Sequence, residues 1–161
     1  MSKIARLFCA GLLLLAGAVP VAQAADLVKG RIAGRSEAAD VSRTMALAQR
    51  GDAHAQAILG FMYANGRGVP QSYDVAVDWY VQSAEQGDPT GQYLLGLMYD
   101  KGFGVTTNIV LAHKWLNLAA AHAPRPNREN VLRLRDAVAS KMTRAQIDLA
   151  QQLAVSFVPA R

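Results

Sequence analysis

Residues 55–88 read AQAILGFMYANGRGVPQSYDVAVDWYVQSAEQGD, and residues 91–122 read GQYLLGLMYDKGFGVTTNIVLAHKWLNLAAAH. At an offset of 36 residues, Leu59-Gly60 falls on Leu95-Gly96 and Met62-Tyr63 on Met98-Tyr99. Gly66-x-Gly68-Val69 falls on Gly102-x-Gly104-Val105, and Ala76, Trp79 and Ala84 fall on Ala112, Trp115 and Ala120. Upstream, Gly51-Asp52 matches Gly87-Asp88, and Gln56 matches Gln92. More than ten ungapped identities make this a tandem repeat, a unit of the length used by stacked helix pairs.

Each unit reads as two helices. Asp52 is an N-cap type, and Ala55, Leu59, Met62 and Tyr63 recur at spacings of three and four. Gly66 ends that helix, and Ser72 or Asn108 opens the second. Its apolar stripe is Ala76, Trp79, Tyr80 and Ala84, matched by Ala112, Trp115, Leu116 and Ala120. Gly87 stops it, Asp88 caps the next helix, and Pro89 takes the first turn, where a missing N–H costs nothing. No segment keeps a strand period, so the chain is expected to be all-α. Glycine in mid-helix, at Gly60 and Gly96, costs about 0.5–1 kcal/mol relative to alanine. Its recurrence implies that a neighbouring helix or the repeat's tryptophan approaches too closely for a side chain. Trp79 and Trp115 are expected to be the large wedges of each layer.

These residues resemble the Sel1-like repeat, a short relative of the tetratricopeptide helix–turn–helix unit. The resemblance rests on Ala55, Leu59, Gly60, Tyr63, Gly66, Gly68, Val69, Ala76, Trp79, Tyr80, Ala84 and Gly87. The second copy keeps Leu95, Gly96, Tyr99, Gly102, Gly104, Ala112 and Trp115, but has Gly91, Leu116 and AAHAP where the first has Ala55, Tyr80 and AEQGD. The resemblance implies a short right-handed α-solenoid of antiparallel helix pairs, serving as an adaptor in envelope, export or host-contact assemblies. Two units are few for a solenoid, whose ends need caps. The expected organisation is a signal peptide (1–24), a mobile leader (25–36), a degenerate capping helix (37–51), two repeats (52–87 and 88–123) and C-terminal capping helices (124–161). In the last segment Val131, Leu134 and Val138 share a face. Thr143-x-x-Gln146 forms a capping box before Ala150, Leu153, Ala154 and Phe157.

The start, MSKIARLFCAGLLLLAGAVPVAQAAD, has Lys3 and Arg6, an apolar run and an A-x-A site at Ala22-Gln23-Ala24, the pattern of a cleaved secretory signal. The run from Leu7 to Ala22 is shorter than the ~20 residues that span a bilayer. A periplasmic or secreted protein is therefore expected, with no stable membrane span after cleavage. Cleavage would remove Cys9, the single cysteine, so neither disulfides nor thiol chemistry are expected of the mature chain.

Gly-x-Gly at 66–68 and 102–104 raises the question of phosphate binding, but both loops follow a helix rather than open one. Helix C-termini carry the wrong dipole sign for phosphate. His54, His113 and His122 form no i, i+4 pair, and no serine nucleophile motif occurs. Asp74 and Asp78 suit a solvated N-terminal turn better than acid–base work. His54 is read as an exposed first-turn residue, His113 and His122 as lying near a helix surface and end. No catalytic residue, cofactor or metal site is expected.

The 17 basic and 12 acidic residues are unevenly placed, because the C-terminal segment gathers Arg125, Arg128, Arg133, Arg135, Lys141 and Arg144. An acidic partner is one reading of that run and a solvated face the simpler one; nucleic acid is not expected, since no aromatic residues are interleaved. The expected partner is another protein, met where the copies differ. Ala57 becomes Tyr93, and Ala64-Asn65 becomes Asp100-Lys101. Tyr93 is the leading contact candidate, followed by His54, Arg67, Asp100, Lys101 and Phe103, with the loop tips Arg67 and Phe103 pointing outward. Two alternatives stand beside the adaptor: an envelope hydrolase of cell-wall or β-lactam chemistry, and a structural subunit of a larger repeat assembly.

Overall fold

Clearance between paired helices sets the architecture, a computed structural model that describes residues 38–160. The signal peptide and leader of the sequence reading lie outside those residues. Seven helices and no strand occur among the described residues: α1 (38–49), α2 (Ala53–Asn65), α3 (Tyr73–Glu85), α4 (Pro89–Lys101), α5 (Ile109–His122), α6 (Arg125–Ala139) and α7 (Arg144–Val155). The hairpins α2–α3 and α4–α5 are the two repeats of an all-α solenoid, and α3 packs on α4 to join them.

Both hairpins close in the same way. Gly66 and Gly102 adopt left-handed backbone with φ of 66° and 73°, and their N–H groups donate to the Met62 and Met98 carbonyls. Such φ values favour glycine because they cost a β-carbon strain. The Ser72 and Asn108 N–H groups then donate to the Tyr63 and Tyr99 carbonyls, each at 2.9 Å. Asp52, Ser72, Asp88 and Asn108 accept from backbone N–H groups of their first turns, and Thr143 and Gln146 complete the capping box. Successive pairs are held in register by a buried glutamine. Gln56 Nε2 donates to the Ala48 carbonyl (3.2 Å), and Gln92 Nε2 donates to the Ala84 carbonyl (3.3 Å). Since Ala48 and Ala84 are also 36 residues apart, α1 stands where the second helix of a preceding unit would stand.

The wedge differs from the expectation. A β-carbon on Gly60 would lie 2.6 Å from Cε1 of Tyr80, and one on Gly96 would lie 2.8 Å from Cγ of Leu116. The residue after each tryptophan therefore fills the cleared space, because that position faces the partner helix of the same hairpin. The tryptophans point to other neighbours. Trp79 packs half-buried against Met45, Ala48 and Leu59, while Trp115 is buried with Tyr80, Leu95 and Ala154. Burial pushes the Tyr80 phenol well above its ordinary pKa.

The departures of the second repeat have local causes. A β-carbon on Gly91 would overlap the Ser83 side chain, so the first alanine is lost there. α5 has no glycine stop; Arg128 instead donates from Nε to the Ala120 carbonyl and from an Nη to the Ala121 carbonyl, both at 2.8 Å. α6 packs on α5 through Val131 and Val138, and α7 returns onto α5 with Ala150 and Ala154 buried. Beyond the end of α7, Phe157 meets the Trp115 ring edge-on at 5.5 Å, and the Ala160 N–H donates to the Glu85 carbonyl at 2.7 Å. The terminal segment thus straps α7 across α5 to the end of α3.

Trp115→Ala is expected to cost about 3–5 kcal/mol, the range for deleting a buried aromatic. Trp79→Ala should cost clearly less, because Trp79 is half-exposed. Chemical denaturation of both variants checks the order, and equal losses would contradict this packing.

Candidate functional site

The first helices of the pairs, α2 and α4, pack side by side, and α6 continues their row. A groove of about 430 Å³ runs across all three. Its floor includes the buried Ala57, where the small side chain leaves room that Tyr93 fills on α4. On α2, Ile58 and Phe61 remain 38% and 40% exposed, a large fraction for apolar side chains lying side by side. Pro89, Thr90 and Leu94 form the α4 wall, and Asn127, Asn130 and Val131 form the α6 wall.

The groove is apolar with neutral hydrogen-bonding groups along its edges. Among the described residues, no carboxylate, amine, guanidinium or imidazole lines it. Such a surface suits burial of apolar side chains from another chain, with amides to meet backbone groups, rather than proton transfer.

The predicted contact residues separate into two places. Tyr93 lies in the groove. His54 is exposed one turn before Ile58, with Nδ1 3.5 Å from the Asp88 carboxylate. Arg67, Asp100, Lys101 and Phe103 lie instead at the hairpin ends. Arg67 is exposed there, and Phe103 is also exposed (45%), with its ring stacked on Tyr73 at 4.9 Å and 17°. The backbone at Gly104 comes close enough to Tyr73 that a β-carbon would overlap it, which holds this loop against α3. Asp100 is not a free surface group, since its side chain is 3% exposed and pairs with Lys101 (2.9 Å) and Lys141 (3.0 Å). Burial alone would raise its pKa, but the hydrogen bonds and charges of the two lysines outweigh it, and the carboxyl ends below its ordinary value.

Ile58, Phe61, Asn127 and Asn130 were not among the expected residues. Ile58 and Phe61 correspond to Leu94 and Leu97, so apolar side chains in both copies read as core. The two asparagines lie outside the repeats.

His113 corrects a second expectation. It is 3% exposed rather than superficial, and its Nδ1 has no hydrogen-bond partner among the described residues. His122 is exposed at the end of α5, with Nδ1 3.1 Å from the Leu118 carbonyl. Asp74 and Asp78 are both exposed. Much of the basic run turns to internal use: Arg128 closes α5, Arg135 binds Asp136 and Asn117, Arg133 binds Asn130, and Lys141 binds Asp100. No helix among the described residues is long and apolar enough to cross a membrane.

The Sel1 repeat family model matches residues 53–88 and 89–123. A protective antigen present in uropathogenic Escherichia coli strains, with an SLR fold, superposes with a TM-score of 0.67 at 28% identity, over 73% of this chain and 24% of that one. A Sel1 repeat protein from Oxalobacter formigenes superposes with a TM-score of 0.53 at 36% identity, over 55% of this chain and 25% of that one. The chain thus spans about a quarter of the length of these solved structures. No curated protein matches it.

Asp100→Asn should lower stability at neutral pH by about 1–3 kcal/mol, the scale of hydrogen bonds to charged groups. Because the folded carboxyl has the lower pKa, its contribution is present above the ordinary value of 3.8 and fades as pH falls below it. The gap between variant and wild type should therefore narrow from pH 7 to pH 3 in urea titrations. A constant gap would contradict the ion-pair assignment.

Proposed function

We propose that this chain, which carries two Sel1 repeats, is an exported adaptor whose α2–α4–α6 groove receives a segment of another protein. The observation that carries this reading is the groove itself: Ile58 and Phe61 are exposed on α2, the partly buried Tyr93 lines it from α4, and none of its lining residues is charged. Exposed apolar clusters of this kind mark interaction sites, and tyrosine gives large contact area at small entropic cost.

Export to the periplasm or beyond is supported by the basic, apolar and A-x-A pattern of the first 24 residues. That one solved neighbour is a protective antigen is in keeping with it. The binding reading is preferred to hydrolysis because Asp100, the carboxylate with a displaced pKa, is held ionised by two lysines. A structural subunit of a larger repeat assembly is the second reading, favoured by the quarter-length coverage of the solved neighbours. Sedimentation separates the two, since an adaptor persists as a folded monomer at micromolar concentration and an obligate subunit does not.

A photo-crosslinker at position 93 in cells should capture a specific exported protein, and the same probe at the exposed Arg67 should not. Tyr93→Ala should reduce that capture at least tenfold while leaving the melting temperature within a few degrees. Capture equal from both positions, or a Tyr93→Ala variant that loses stability but keeps its partner, would overturn the assignment.

A further inference from the structure

α5 carries a titratable ring in a place that accepts one of its protonation states. His113 is 3% exposed, and no acceptor lies within hydrogen-bond distance of its Nδ1 among the described residues. It sits one turn before Asn117, which binds Arg135 of α6 at 3.4 Å. The charged groups acting on His113 are Arg135 and Asp136, both on α6; no charged group of α4 or α7 is among them. Asp136 is a weak counter-ion for the ring, because its Oδ1 accepts from Arg135 Nε (2.9 Å) and an Arg135 Nη (2.7 Å) and its side chain is 62% exposed to solvent. An imidazolium donates from both ring nitrogens. In this site it would place an unsatisfied Nδ1–H and a poorly compensated buried charge on the helix that α6 packs against.

We propose that His113 is a proton-sensitive latch between α5 and α6: the neutral ring permits the packed helices, and gaining a proton drives α6 away. Burial and the Arg135 charge hold the ring's pKa below its ordinary value, against a smaller opposing pull from Asp136. A lowered folded pKa means that the packed form is fully favoured above about 6.5 and loses stability as pH falls below that value. The other attachments of α6 do not respond in this range. Arg128 stays charged on the α5 carbonyls, and Asp100 stays ionised on Lys141.

α6 supplies Asn127, Asn130 and Val131 to the groove, so its release would remove one wall. That consequence rests on the adaptor reading; the latch itself does not. A partner taken up at neutral pH would be let go in an acidified compartment.

Hydrogen exchange of the full chain without any partner tests the latch at pH 7.5 and pH 5.0, corrected for the intrinsic pH dependence of exchange. Amides of α6 from 131 to 139 should open several-fold more readily at pH 5.0, while those of α2 and α3 keep their protection. His113→Gln, neutral throughout, should abolish the difference, and His122→Gln should retain it. Protection of α6 that is independent of pH in the wild type, or that falls in step with α2 and α3, overturns the proposal whether or not the variants fold. So does a response that survives in a folded His113→Gln. Because no partner is present, loss of the adaptor reading would leave this result intact.

Discussion

The approach of two helix backbones at a glycine governs this fold. In each hairpin the first helix has no side chain where the second presents a large one, Tyr80 opposite Gly60 and Leu116 opposite Gly96. A β-carbon there would meet side-chain carbon at 2.6–2.8 Å and the Ala76 or Ala112 carbonyl behind it. Interiors packed to crystal-like density cannot absorb such an overlap without shifting. The helical cost of the glycine, about 0.5–1 kcal/mol, is offset by the burial that the close approach allows. With the pairs fixed at that distance, the register glutamines Gln56 and Gln92 reach the preceding helix. The outer face of α2 and α4 is then left as a shallow apolar groove.

The repeat was legible because its identities are of a kind that physics repeats: caps, left-handed glycines and clearance positions. Asp52, Ser72, Asp88 and Asn108 all cap, and Thr143 with Gln146 forms its box. What the pattern did not carry was direction. Trp79 and Tyr80 are adjacent in sequence but point about 100° apart on a helix, so a stripe naming both cannot say which one meets Gly60. His113 was misjudged for the same reason. It lies outside the repeat's apolar stripe, yet it is buried on α5, on which α6 and α7, helices that belong to no repeat, also pack.

The site was legible in part. Tyr93 stood out because it replaces a small residue, whereas Ile58 and Phe61 fall on apolar Leu94 and Leu97 in the second copy and so did not mark themselves by difference. Apolar periodicity records that a face is greasy, not that something covers it. Asp100 and Phe103 also differ between copies, but their differences serve internal contacts with Lys141 and Tyr73. Variation between repeats therefore marks two kinds of position: those adapting to a different structural neighbour, and those free to meet another molecule. The neighbours of each side chain separate the two kinds, and sequence alone does not name them.

The central physical claim is that Gly60 exists to admit Tyr80. A double-mutant cycle of Gly60→Ala and Tyr80→Ala, read by urea denaturation, tests it most directly. Alone, Gly60→Ala is predicted to destabilise by about 1–3 kcal/mol, the cost of overpacking a filled interior. In the Tyr80→Ala background, which empties the space opposite Gly60, the same change should cost far less, giving a coupling above about 1 kcal/mol. Additivity within about 0.5 kcal/mol, the behaviour of independent sites, would contradict the account.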